Sequence, residues 1–168
     1  IANAAMRGDI AAVRALIGQG QNVNATQSDG ATALHWAAYR LDIDMAKALI
    51  AAGANPKVAN RDGATPLSLA STTGDGAMVA ALLKAGADPN ESLPTGNTNL
   101  MLAPGAGGVA AIKALIDPGA NVNAKESLRG TTALMWAADE SQAAAAQLLI
   151  ERGADVKARS NPAARARG

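Results

Sequence analysis

The sequence predicts an all-α repeat solenoid, in which helix–turn–helix units stack and are joined by extended loops or β-hairpin fingers. Two sets of regularly spaced glycines support this prediction. The first set recurs at steps of 33, 33, 33 and 34 residues and comprises Gly20, Gly53, Gly86, Gly119 and Gly153. The second set keeps nearly the same step and comprises Gly30, Gly63, Gly96 and Gly130. A fixed period of this size indicates one supersecondary unit copied and stacked, an architecture that mainly provides binding surfaces.

Local signals within one period predict two helices and a loop. Thr65 before Pro66 places a capping hydroxyl ahead of a residue suited to the first helical position, and Thr32, Thr98 and Thr132 stand at the same place. A break is expected near 73–76, and a second helix runs from there to about Ala85, where Gly86 suits a left-handed helix end. The same pattern predicts second helices near Asp44–Ala52, Gly108–Asp117 and Gln142–Arg152.

The residues around the glycines resemble a known family. After the second set of glycines come the strings GATALHWAA, GATPLSLAS, GNTNLMLAP and GTTALMWAA, and around the first set stand GQNVNA, GANPKV, GADPNE, GANVNA and GADVKA. These strings resemble the ankyrin repeat. Their Ala-rich sequence is more similar to that of bacterial ankyrin proteins than to that of eukaryotic ones. The resemblance extends from about Ile1 to Ser160 and implies a domain over residues 1–160. It consists of a partial repeat 1–29 and four full repeats, 30–62, 63–95, 96–129 and 130–160.

The two ends of the domain lack recognisable caps. Ile1 aligns with Leu34, so the chain is predicted to begin inside a first helix. At the other end, the alanines of 143–146 are typical of an interior layer rather than a polar cap, and residues 161–168 are a tail or the start of a further repeat. Three alternatives stay open for this end: further repeats, a partner that covers it, or an imperfect cap.

The third full repeat departs most from the pattern. Pro104 falls late in its first helix, where the other repeats have Ala38, Ser71 and Ala138, and is expected to interrupt helical hydrogen bonding. Pro118 precedes Gly119, and one extra residue is inserted before Gly130. We therefore predict that this layer is the least stable. A phosphate-binding role for its glycines is disfavoured, because no Gly-Lys-Ser/Thr follows them.

Composition excludes several function classes. The net charge of +1 argues against a general nucleic-acid binder, which concentrates basic residues on one face. The chain has no cysteine, hence no disulfide or thiol chemistry, and no apolar run near the ~20 residues that span a bilayer. The compartment stays open: the protein is periplasmic or secreted if Ile1 follows a cleaved signal peptide, and cytoplasmic otherwise.

The inventory of reactive side chains does not favour catalysis. His35 is the single histidine, which gives little support to a histidine triad or a multi-histidine metal site. The resemblance implies that its imidazole bonds neighbouring loop backbone. The nearest carboxylate pairs, Asp42 with Asp44 and Asp139 with Glu140, are typical of helix ends. No enzyme activity, cofactor or metal is therefore expected.

Two tryptophans and two methionines occupy positions where packing and binding compete. Trp36 and Trp136 align with Leu69 and Leu102 on the face that packs against the neighbouring layer, so packing is favoured over stacking on a ligand. Met101 and Met135 align with His35, and they would offer adaptable contact surface if exposed. Packing is again the favoured interpretation.

The resemblance implies a protein partner held on a concave side by loop tips and exposed first-helix positions. Those positions in this chain are Ser28, Asp29, Tyr39, Arg40, Arg61, Asp62, Thr72, Thr73, Thr95, Asn97, Arg129, Asp139 and Glu140, with Ala31, Pro94 and Leu128 beside them. Tyr39 next to Arg40 is the best anchor candidate, since both residue types are enriched among residues that dominate binding energy. An ordinary surface pair is the alternative.

Two functions follow. The first is a non-catalytic protein–protein interaction module that binds another protein along its concave face. The second is an assembly component that docks through its uncapped ends to further repeats, other copies or a larger complex. Head-to-tail contacts of that kind propagate, so self-association through the ends would make the mass depend on concentration.

Overall fold

The computed structural model describes residues 1–106 and 108–161 and shows a solenoid of stacked helix pairs, as predicted. Within these ranges ten α-helices form five helix–turn–helix units, one in each predicted repeat. Their bounds are α1 Ala2–Arg7, α2 Ile10–Gly18, α3 Ala33–Tyr39, α4 Ile43–Ala51, α5 Pro66–Thr73, α6 Gly76–Lys84, α7 Asn99–Leu102, α8 Val109–Ile116, α9 Ala133–Asp139 and α10 Ala143–Glu151. The second helices begin and end within one or two residues of the predicted positions. The repeat boundaries themselves stay a prediction.

Short polar residues start the helices. The threonines predicted as caps precede α3, α5, α7 and α9 with extended backbone. Thr65 makes the fullest cap, because its hydroxyl accepts from the Ser68 N–H while the Ser68 hydroxyl accepts from the Thr65 N–H. In the second helices, carboxylates of Asp9, Asp42 and Asp75 accept from the backbone three residues on. Local chemistry thus fixes where each short helix begins.

The core is a ribbon between layers rather than a central cluster. First helices contact first helices, and second helices contact second helices, from one unit to the next. Each layer contributes a leucine at the same position of its first helix, and Leu34, Leu67 and Leu100 are fully buried. Alanines such as Ala37 and Ala70 stand beside them with no exposed surface. Their small side chains let neighbouring helices approach closely.

The loops between units form fingers that close as tight turns. The Gly63 finger is typical: the Asn60 N–H donates to the Ala64 carbonyl, and the Gly63 N–H donates back to the Asn60 carbonyl. Gly63 has φ 77°, and a Cβ there would meet the Pro94 ring of the next finger. In the described ranges, the fingers contain one isolated bridge, between Ser92 and Thr98, rather than paired strands.

The third full repeat is irregular where the sequence predicted it to be. Helix α7 ends at Leu102, and a 3-10 turn over Ala103–Ala106 replaces its continuation around Pro104. No side chain caps α8, because Gly108 stands where α6 has Asp75. Of the segment that follows Pro104, Gly107 lies outside the described residues.

Asparagines clasp successive loops together. Asn24 donates its amide to the Gly53 carbonyl at 3.1 Å and accepts from the Asn55 N–H at 2.7 Å. Asn90 and Asn123 repeat this pair of bonds two and three loops further on. Lys57 occupies the equivalent position between them, and an ammonium group cannot accept a hydrogen bond.

The last described layer exposes more apolar surface than the full repeats before it. Leu134 is partly exposed, whereas Leu34, Leu67 and Leu100 are buried. Ile150 is 49% exposed and Val156 is 64% exposed. In the run 143–146, Ala145 is buried and Ala143 and Ala144 are exposed. Of the predicted tail 161–168, residues 162–168 lie outside the described residues.

Candidate functional site

The residues predicted to contact a partner are at the surface. They occupy the finger tips and the ends of the first helices, and all are exposed except Asn97, which is half-buried: Ser28, Asp29, Tyr39, Arg40, Arg61, Asp62, Thr72, Thr73, Thr95, Arg129, Asp139 and Glu140. Pro94 and Leu128 are exposed as well. Ala31, which the resemblance also implied, is only 5% exposed, because it packs at the base of its finger, and it offers no contact surface.

A row of half-buried apolar side chains runs along the first helices, on the side that the fingers border. Its members are Trp36, Leu69, Leu102 and Trp136, one from each full repeat. Trp36, Leu69 and Trp136 each pack one part of the side chain against the core and leave the rest open, and Leu102 is likewise half-buried. The expectation that the tryptophans pack against the neighbouring layer is therefore met in part. We call the surface formed by this row and the fingers the inner face.

One groove of the inner face surrounds Trp36. It has a volume of about 550 Å³ and polar walls that include Asn3, Gln27 and Ser28. The Trp36 indole N–H donates to the Gln27 side-chain oxygen at 2.7 Å, which fixes the ring orientation. We call this cavity the Trp36 groove; Asp29 and Met6 complete its rim.

Tyr39 and Arg40 point to different places although they are adjacent in sequence. Tyr39 is 63% exposed, and its ring meets Trp36 edge to face with centroids 6.0 Å apart. The Arg40 guanidinium instead lies over Gly8, at the turn between α1 and α2, and donates to the Met6 carbonyl at 3.4 Å. Tyr39 thus extends the aromatic surface beside the Trp36 groove, and Arg40 contacts the preceding unit.

A second groove surrounds Trp136. It has a volume of about 530 Å³ and brings together four of the predicted contact residues: Thr95, Asn97, Arg129 and Asp139. Its apolar lining comes from Trp136, Met135 and Leu128. Met101, the other methionine considered, is buried. We call this cavity the Trp136 groove.

The comparisons with known proteins agree with this architecture. The family model described as ankyrin repeats (three copies) matches residues 1–92 and 79–160, which together cover nearly the whole chain. The chain belongs to the ankyrin-repeat family. No curated protein matches the sequence significantly. Ankyrin repeats are generally protein–protein interaction modules, and the family is typically non-catalytic.

A buried carboxylate builds the finger above the Trp136 groove of this ankyrin-repeat protein. Glu126 accepts from the backbone N–H groups of Leu128, Arg129 and Thr131, and from the Thr131 hydroxyl, at 2.5–3.2 Å. Burial of the Glu126 side chain acts to raise its pKa, but the hydrogen bonds from Leu128, Thr131 and Arg129 outweigh it and hold the pKa below the usual 4.5. The ionised carboxylate therefore shapes the finger.

The inserted residue of the sequence lies in this finger. In the Gly30 finger two residues separate Gln27 from the glycine, whereas three separate Glu126 from Gly130. The Arg129 carbonyl accepts from the Asn161 N–H, as the Asp29 carbonyl accepts from the Arg61 N–H. Arg129 therefore corresponds to Asp29, and the extra residue is within 127–128, which includes the exposed Leu128.

His35 has a structural role in the ankyrin stack, as the resemblance implied. Its Nδ1 accepts from the Thr32 N–H at 3.1 Å and its Nε2 bonds the Ala64 carbonyl of the next finger at 3.0 Å. Burial lowers the pKa of His35 from 6.5, only partly offset by the Ala64 carbonyl and by Asp29. The neutral imidazole is thus a bridge between layers.

The described residues contain neither a metal cluster nor a spanning helix. No group of three or more His, Cys, Asp or Glu side chains in 1–106 and 108–161 is placed to hold a metal ion. Over the same ranges, every helix is too short or too polar to cross a bilayer.

Sequence reasoning missed the Trp136 groove as a unit. It selected Arg129 and Asp139 separately, from two different segments, and gave Glu126 no role. The available signal was the extra residue before Gly130, since an insertion at a finger tip adds an exposed side chain beside the first helices.

Proposed function

We propose that this protein binds a partner protein along the inner face and performs no chemistry of its own. The observation that carries the proposal is the half-buried apolar row, which ends in a tryptophan-lined groove at Trp36 and another at Trp136. Aromatic side chains that are fixed by packing and partly open to solvent are typical binding anchors. The family's usual role supports the same function.

Two exposed side chains are the expected anchors. Tyr39 presents its ring beside Trp36, and Leu128 is 79% exposed at the rim of the Trp136 groove. Removal of a true anchor costs about 2 kcal/mol of binding free energy or more. Because both side chains are exposed, their truncation should leave the fold intact. Asp29, Asp62, Thr72 and Thr95 then belong to the polar rim, where single truncations cost less.

Affinity capture from the source organism's lysate tests this proposal. The wild type is compared with Tyr39→Ala/Arg40→Ala and with Leu128→Ala, and the captured proteins are quantified by mass spectrometry. A stoichiometric partner that is lost with either inner-face variant supports the proposal. The matched control is Val156→Ala, an equally exposed aliphatic residue away from the grooves, which should retain the partner. A partner lost only with Val156→Ala contradicts inner-face binding.

Assembly through the ends is the second candidate. It is favoured by Ile150 and Val156, whose exposure exceeds that of their counterparts Ile50 and Pro56 in the first full repeat. Burial of such surface against another copy would stabilise an oligomer by about 25 cal/mol per Å² of apolar area. Sedimentation at rising concentration tests this candidate. An increase in mass that Val156→Asp abolishes favours it, and a constant monomer mass contradicts self-assembly.

The charge pattern supports a protein partner rather than a nucleic acid. The inner face mixes both signs, with Asp29, Asp62 and Asp139 beside Arg61 and Arg129. A nucleic-acid site needs a continuous basic surface, because binding depends on neutralised phosphates. Binding to labelled duplex DNA or RNA at low salt with an affinity near that of the captured partner would overturn this part of the proposal.

A further inference from the structure

We propose that the Trp136 groove holds a segment of the partner protein that carries one bulky apolar side chain beside a lysine or arginine. This inference rests on the proposed function, since it specifies what one part of the inner face recognises. It combines an apolar lining with a carboxylate rim, both of which the described residues place in one cavity.

The apolar half of the groove is formed before any partner arrives. Leu128 stands at the finger tip that the extra residue lengthens, and Glu126 binds the backbone N–H groups of the residues around it. Trp136 is held from the other side, because its indole N–H donates to the Thr131 hydroxyl at 3.3 Å. A rigid apolar lining gains affinity because little side-chain freedom is lost on binding.

The charged half of the groove is at the end of α9. Asp139 is the last residue of this helix and lines the groove, and Glu140 follows it. The C-terminal carbonyls of a helix add negative potential at the same place. Arg129 also lines the groove, but the two carboxylates of Glu126 and Asp139 outnumber it there, and Glu140 adds a further negative charge beside them. In the described part of the chain, the one ion pair joins Arg152 to Asp117, so neither Asp139 nor Glu140 forms an ion pair there. A lysine or arginine of the bound segment supplies the missing charge.

The Trp36 groove differs in a way that makes the two sites selective. Its lining is more polar, with Asn3, Gln27 and Ser28 beside Ile1 and Met6, and its finger is one residue shorter, with no aliphatic residue at the tip. The Trp36 indole N–H donates to the Gln27 side-chain oxygen, whereas the Trp136 indole N–H donates to the Thr131 hydroxyl. The same peptide should therefore prefer the Trp136 groove.

Tryptophan fluorescence provides a direct assay. The chain has two tryptophans, so Trp36→Phe leaves Trp136 as the reporter. This variant is titrated with a blocked peptide in which one leucine stands between two lysines, and with a matched peptide in which glutamates replace the lysines. We expect the lysine peptide to bind about three- to tenfold more tightly, as one or two exposed ion pairs provide.

Substitutions in the Trp36→Phe background locate the binding. Leu128→Ala is expected to raise the Kd of the lysine peptide about thirtyfold. Asp139→Asn should reduce the difference between the two peptides, and added salt should do the same. Asp44→Asn is the matched control, because it removes an exposed carboxylate of α4 that lies outside both grooves, and it should leave both Kd values unchanged.

Each contrary result overturns a defined part. The proposal that the bound segment carries a basic residue is contradicted if the two peptides bind with equal affinity. It is also contradicted if Asp139→Asn does not change their difference in Kd. An unchanged Kd in Leu128→Ala contradicts binding in the Trp136 groove. The absence of any fluorescence response up to millimolar peptide contradicts both the groove and the basic residue. The lysate capture remains a separate measurement: a partner lost with Tyr39→Ala/Arg40→Ala but retained with Leu128→Ala would sink this inference and leave the proposed function standing.

Discussion

At the residue scale, the hydrogen bonds of His35 require a neutral ring. Its Nδ1 accepts from Thr32 while Nε2 donates to Ala64, an arrangement that protonation of Nδ1 would break. Because burial lowers the folded-state pKa below 6.5, the unfolded chain binds a proton first as the pH falls. The free energy of unfolding should therefore decrease as the pH drops below 6.5, down to the folded-state pKa.

Urea unfolding across this pH range measures the effect. His35→Gln is the control, since it cannot titrate and should lose this part of the pH dependence while it retains a polar side chain. An unchanged slope in the variant would show that His35 does not carry the effect.

Protonation of Glu126 should cause a separate loss of stability at lower pH. Its folded-state pKa lies below 4.5, so its contribution to stability is present above 4.5 and is lost as the pH falls through the folded-state value. Protonation removes acceptor capacity from the carboxylate that the N–H groups of Leu128, Arg129 and Thr131 share. We expect these three amides to lose protection against exchange at acid pH, relative to the rate of an unstructured chain at the same pH, and Glu126→Gln to show low protection already at neutral pH.

Hydrogen exchange resolved by residue tests this expectation. Amides of the Gly30 finger are the internal control, because Gln27 stands there in place of Glu126 and does not titrate. An equal loss of amide protection in the Glu126 finger and the Gly30 finger would indicate general acid destabilisation rather than a role for Glu126.

At the element scale, the weakness of α7 has an identifiable chemical origin. Asn99 is fully buried at the first helical position, and in the described structure its side-chain oxygen and the Thr98 hydroxyl have no hydrogen-bond partner. Thr98 already has the extended backbone that a following proline requires, with φ −89° and ψ 161°. Thr65 before Pro66 provides the precedent.

Asn99→Pro should therefore stabilise the protein by about 0.5–2 kcal/mol. Part of this gain comes from the stiffer unfolded chain and part from the removed buried oxygen. Ala133→Pro is the matched control at the start of α9, where only the first part applies, so its effect should be smaller. Chemical unfolding measures both. The Asn99 side-chain amide also donates to the Glu91 carboxylate at 3.2 Å, and destabilisation by Asn99→Pro alone would show that this hydrogen bond outweighs the two gains.

The third full repeat as a whole is predicted to be the least stable layer. The short α7, the uncapped α8 and the unpartnered polar atoms all support it. It stays a prediction until amide exchange compares α7 with α3 and α5.

At the scale of the whole molecule, cooperation between units depends on contacts that cross from loop to loop. One junction lacks two of them. Lys57 replaces a clasping asparagine, and Pro94 has no N–H to donate where Arg61 donates to the Asp29 carbonyl. The layers on the two sides of this junction, in repeats 30–62 and 63–95, are joined by the His35–Ala64 bond instead.

Lys57→Asn should restore the clasp with Gly86 and Asp88. Two added hydrogen bonds of ordinary strength predict a gain of about 1–2 kcal/mol in the free energy of unfolding and a steeper unfolding transition. Asn90→Lys is the reciprocal change and should cost a similar amount. Equal stability of the wild type and both variants would show that the clasps do not couple the layers.

Much of the fold could be predicted because its signals are local and repeated. The threonine caps, the left-handed glycines such as Gly86 and the interruption at Pro104 each depend on a few adjacent residues. The candidate site could be predicted only in pieces. Nothing in the order of residues indicates that Arg40 turns back over Gly8, or that Met101 is buried while Met135 lines a groove, since these depend on how one layer lies on the next.

The sequence by itself determined the repeat, its period, its family and the starts of its helices, because periodicity and capping act over distances of one turn or one loop. Only the tertiary structure decided that Leu128, Trp136 and Asp139 share a cavity, that Glu126 shapes the finger beside them, and that Lys57 leaves a gap in the row of clasps. The clasps join residues about thirty positions apart, brought together by stacking, and the cavity joins a finger to the far end of the helix that follows it. The Glu126 hydrogen bonds span only two to five residues, but they depend on the folded shape of the finger. These geometries are not written in the order of residues within a single repeat.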